Sequence, residues 1–122
     1  MKKVKNTPND DQIAYFFAKV EHYQNLLNLK DWRIENSGIS AGKGCLADVG
    51  LSPEDRLAVI SIGKDWGPMP VNDKTLSETA LHEVLHVFLR TLVDGAASRD
   101  PGALDTAEHS VVVVLEKLLV GL

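Results

Sequence analysis

The segment from Thr75 to Val93 constrains the chain most. Leu81, Leu85, Val87, Phe88, Leu89, Leu92 and Val93 recur so closely that a helix over about 75–93 is apolar on most of its sides. Such a helix is expected at the centre of a domain, covered by the other elements. Within it stands His82-Glu83-Val84-Leu85-His86. Residues four apart lie one above the other on a helix, so both imidazoles leave the same face, with Glu83 one residue around. Burying three polar side chains is costly unless partners satisfy them.

The flanking segments fix what can cover this helix. Residues 1–9 read as a polar, flexible tail, and 10–122 as one domain. Asn9 or Asp10 can cap a first helix over about 10–29, whose face is Ile13, Phe16, Phe17, Val20, Tyr23 and Leu27. Trp32-Arg33-Ile34-Glu35 alternates as a short strand does. Cys45, Ala47, Val49 and Leu51 suggest a second strand, with Cys45 as a small core residue, and Leu57 to Ile62 a third. Gly63 to Asp73 is a loop, in which Trp66 is either a contact residue or part of the core. Thr75 with Glu78, or Asp73, starts the second helix, and Asp94-Gly95 stops it. Asp100-Pro101 opens a third helix with Leu104, Val111, Val112, Leu115, Leu118 and Leu119 as its buried stripe. The order predicts an α+β fold: an N-terminal helix, a small three-stranded sheet, the motif helix and a C-terminal helix.

Composition narrows the function. The 122 residues carry 13 Lys and Arg against 17 Asp and Glu, a net charge of −4. Without a basic excess, a nucleic-acid partner is not expected. The single cysteine excludes an intrachain disulfide. No apolar run of membrane-spanning length and no secretory signal is visible, so a cytoplasmic location is expected.

Two imidazoles on one helical face can each give a nitrogen lone pair to one cation, with Glu83 placed to reach a water rather than the cation itself. Zn2+ suits the set, although other divalent ions also accept two histidines and a carboxylate. A catalytic zinc site usually takes three protein ligands. The candidates are Asp105, Glu108 and His109. Helical phase puts Glu108 on the stripe with Leu104, Val111, Val112, Leu115 and Leu118, so Glu108 is the expected third ligand; His109 is the alternative, and a salt bridge to Arg90 is the structural reading of Glu108. The chemistry expected is hydrolysis by a metal-activated water with Glu83 as general base. His109, Tyr15, Tyr23, His22 and Arg90 are possible oxyanion donors.

The segment from Thr75 to Leu89 resembles the active-site helix of zincin metallopeptidases, and Glu108 resembles the third ligand of the glutamate type. The layout, with Asp31-Trp32-Arg33-Ile34 after a first helix, is similar to small zincin-like metallopeptidases of phages and prophages. The resemblance implies a minimal zincin-like domain with an open, shallow site. It also implies His82, His86 and Glu108 as metal ligands, Glu83 as catalytic base, and a peptide or protein substrate. The alternative is a non-catalytic, metal-binding zincin-like protein that serves a phage or its host as a regulatory or interaction factor.

Overall fold

The computed structural model describes residues 6–97 and 101–120. Its first helix, α1, runs Asp10–Leu26. Asn9 caps it: the side chain accepts from the Gln12 backbone, and the Gln12 side chain accepts from the Asn9 backbone. The helix buries Phe16 and Val20. Beyond it, Asn28 takes a left-handed conformation (φ 57°) that reverses the chain. The Gln24 amide then donates to the carbonyls of Leu29 and Trp32, pinning the turn so that Leu27, Leu29 and Trp32 enter the core.

Three strands follow: β1 (Arg33–Asn36), β2 (Ala47–Ser52) and β3 (Leu57–Ile62). They form one sheet in the order β1-β3-β2, with β1 parallel and β2 antiparallel to β3. β3 is central because its near-continuous apolar run can be covered on both sides. Ala58, Ile60 and Ile62 alternate into the core. β2 is an edge strand, paired from Ala47↔Ile62 to Ser52↔Leu57. Gly63 extends the pairing by donating to the Leu46 carbonyl at 2.7 Å.

α2 spans Asp73–Ala97 and packs on α1 and β2. Its cap is Asn72, whose side chain accepts from the Thr75 backbone while Thr75 Oγ1 accepts from the Asn72 backbone. Leu76, Ala80, Val84, Val87 and Phe88 form its buried stripe. α3 spans Pro101–Val120 and packs on α2.

The α+β architecture agrees with the sequence reading, and β3 occupies the expected residues. Several expectations need correction. Residues 6–9 of the expected tail are docked: Asn6 accepts from Trp66 and donates to Gly67 through its backbone, and Pro8 is buried. Residues 1–5 lie outside the described residues. Gly95 does not stop α2, which continues to Ala97. Its later turns are not enclosed, since Leu89 is 48% and Val93 53% exposed. Cys45 is exposed rather than core, because it lies before the first paired residue of β2. Trp66 is a core residue.

The phase of α3 also differs. Val114 is buried and Val111 packs against the core, whereas Val112 and Leu115 are exposed. The run Val111–Leu115 is apolar throughout, so it does not mark which side turns inward. The Leu104, Leu118 and Leu119 side chains lie outside the described residues.

Candidate metal centre

His82 and His86 lie together on the α2 face next to β2. Their Nε2 atoms are 3.3 Å apart, with the rings nearly perpendicular. Zn–N bonds of about 2.0–2.1 Å at a tetrahedral angle set two ligand nitrogens about 3.3–3.4 Å apart. The pair therefore has the spacing of one edge of such a site, and the same gap can instead hold a shared proton. Both imidazoles are exposed. This corrects the expectation that three polar side chains are buried here: only Glu83 is.

Glu83 is 5% exposed. It lies beside the core stripe of α2, one residue around from the histidines. No hydrogen bond or ion pair engages its carboxylate among the described residues, and its oxygens are not sealed from solvent. Burial pushes its carboxyl above the ordinary carboxylate value. Positive charge on His82 and His86 opposes that shift, and Asp48 adds to it.

A groove between β2 and α2 runs past these three residues. Toward the start of α2 it is walled by Cys45, Leu46, Ala47, Glu78 and Thr79. Toward the end of α2 it is walled by Ala47, Asp48, Val49, Leu51 and Arg90, enclosing about 360 Å³. His82 and Glu83 line both halves, and His86 the second. The groove is open to solvent rather than enclosed. A hollow of similar volume, about 380 Å³, between the α1–β1 turn and α3 contains neither histidine nor Glu83 and is not the seat of this chemistry.

The third expected ligand is not assembled with the pair. Glu108 is exposed on α3, as are His109 and Asp105. Among the described residues, no group of three or more His, Cys, Asp or Glu side chains is placed to hold a metal ion. The reason is the phase of α3: with Val111 and Val114 inward, Glu108 shares the outward side with Val112 and Leu115. No salt bridge joins Glu108 to Arg90.

Of the possible oxyanion donors, Arg90 lines the groove. Tyr23 instead bonds to Ser77 Oγ at 2.6 Å, tying α1 to α2, and His22 rests edge-on against it. Tyr15 packs against the core and carries the Lys19 ammonium over its ring. The sequence reading missed Asp48, whose carboxylate accepts from the Gly42 backbone at 2.9 Å. Only the pairing register of β2 brings it level with the motif. No helix among the described residues is long and apolar enough to cross a membrane.

Comparisons with protein-family models, curated proteins and solved structures returned no match.

Proposed function

We propose that the chain is a zinc-dependent metallopeptidase whose reacting centre is His82, Glu83 and His86. The observation that carries the reading is the pair of Nε2 atoms 3.3 Å apart beside the largely buried Glu83, whose carboxylate has no hydrogen-bond or ion-pair partner among the described residues. A largely buried carboxylate that relies on solvent in the groove for its hydrogen bonds is held at some cost in stability. Its retention next to two metal-competent nitrogens is explained by work done on a substrate or a water.

His82 and His86 would hold the cation through Nε2. Bound there, a divalent cation supplies Lewis acidity toward a carbonyl oxygen and makes a water more acidic. Glu83 accepts the water proton as the water oxygen bonds to the scissile carbonyl carbon. The C–N bond then breaks, and Glu83 passes that proton to the leaving amine nitrogen. The free edge of β2 suits an extended peptide, which can add to the sheet through its backbone and run past the histidines. For Glu108 to serve as the third ligand, α3 must turn so that its carboxylate leaves the outward side and reaches the histidines. No hydrogen bond or ion pair holds its carboxylate elsewhere among the described residues.

The test is a mixed peptide library incubated with zinc-loaded protein and read by mass spectrometry. Wild type should cleave, while Glu83→Gln should keep zinc and fold but lose cleavage. Equal cleavage by both would remove Glu83 from the chemistry. Retained zinc with no cleavage by wild type would favour the non-catalytic metal-binding alternative.

A further inference from the structure

We infer that the groove recognises a carboxylate on its substrate and that Arg90 is the residue that reads it. This deepens the peptidase reading and rests on it for the position of the scissile bond.

Arg90 follows His86 by four residues, so His82, His86 and Arg90 rise along one face of α2 in successive turns of about 5.4 Å. Its side chain is half-buried against the groove, yet no carboxylate or carbonyl engages it among the described residues. Asp48 and Glu83 line the same half of the groove without pairing to it. Asp48 is held instead by the Gly42 backbone. Asp94, one turn further along α2, does not pair with it either.

The opposite wall at this level is Val49 and Leu51. Val49 and Leu51 offer no polar group that would compete for the guanidinium, which leaves its donors to an incoming anion. The planar fork matches a carboxylate through two parallel N–H···O bonds. One helical turn separates Arg90 from His86, and an extended peptide advances about 3.3–3.6 Å per residue. The carboxylate read by Arg90 therefore lies one or two residues from the bond held at the histidines. It comes either from the free C-terminus of the peptide or from an acidic side chain.

The experiment titrates three peptides into the full chain, followed by NMR shifts and calorimetry: acetyl-Ala-Ala-Ala as the free acid, the same peptide as the amide, and acetyl-Ala-Asp-Ala as the amide. Each titration is run without metal and after zinc loading, so that direct carboxylate binding to zinc is separated from binding to Arg90. Without metal, at least one of the two carboxylate peptides should bind about ten- to a hundredfold more tightly than the neutral amide. Which one does so identifies the source of the carboxylate. Arg90→Gln should erase the preference, and Arg90→Lys should keep part of it.

Equal binding of all three peptides by wild type, or an undiminished preference in Arg90→Gln, would overturn the inference. A lysine variant indistinguishable from wild type would overturn the two-bond recognition, and it remains informative if the glutamine variant melts early. Zinc retention is measured on the same samples. Loss of zinc by wild type would sink the peptidase reading while leaving a metal-free carboxylate preference standing.

Discussion

Replacing Gly63 by alanine tests how the sheet builds the groove. Gly63 lies just past β3 and donates to the Leu46 carbonyl at 2.7 Å. A Cβ there would fall well inside contact distance of the Cys45 carbonyl oxygen and 3.1 Å from the Leu46 carbonyl oxygen. Both obstacles are backbone, so no side chain can swing away. The chain at Cys45–Leu46 must move outward and stretch the Gly63–Leu46 bond. Overpacking of this kind costs about 1–3 kcal/mol, and a weakened hydrogen bond adds about 0.5–1.5 kcal/mol. The sum, about 1.5–4.5 kcal/mol, corresponds to a fall in Tm of about 6–18 °C for a domain of this size.

Gly50 is the control, since a Cβ there meets nothing within 4 Å. Gly50→Ala should stay within about 0.5 kcal/mol of wild type, as a surface substitution normally does. Urea unfolding followed by the fluorescence of the buried Trp32 and Trp66 measures both variants. Equal stabilities for the two alanine variants would refute the reasoning. Leu46 also walls the groove beside His82, so Gly63→Ala should weaken peptide binding in the residual folded protein.

Other expectations follow from burial, capping and charge. Glu83 is raised in the folded protein, which therefore binds more protons than the unfolded chain above the ordinary carboxylate value of 4.5. In metal-free protein, stability from this group should be present below that value and lost as pH rises through the folded pKa. Glu83→Gln should abolish that slope, as read by urea titrations from about pH 4 to pH 7. Asn72→Ala removes the cap of α2 and should cost about 1 kcal/mol in the same assay. Leu76→Ala, at a fully buried position, should cost about 2–5 kcal/mol, whereas Leu89→Ala on the exposed side of α2 should cost far less.

What could be read in advance divides along physical lines. The bounds of β3, the Asn9 cap and the shared helical face of His82 and His86 depend on local periodicity and capping chemistry, which the chain carries in short stretches. Gly95 lowers helix propensity by only about 1 kcal/mol, and α2 passes through it to Ala97. The phase of α3 depends on which of several equivalent valines enters the core, a choice made by tertiary contact alone. The docking of Asn6 on the Trp66–Gly67 backbone joins segments about 60 residues apart and leaves no local mark. Asp48 and Arg90 share a groove only because β2 pairs with β3 in its observed register, alongside α2. A motif thus announces its own helix, while the walls opposite it emerge from pairing.

Zinc stoichiometry after exhaustive dialysis tests the central claim most directly, with wild type beside His86→Ala and Glu108→Ala. Wild type should retain about one zinc per chain, as a site with three protein ligands does. His86→Ala should retain none, and Glu108→Ala should bind zinc more weakly. No retained zinc in wild type, or equal retention in His86→Ala, would contradict the metal centre and leave the histidines as a pair sharing a proton.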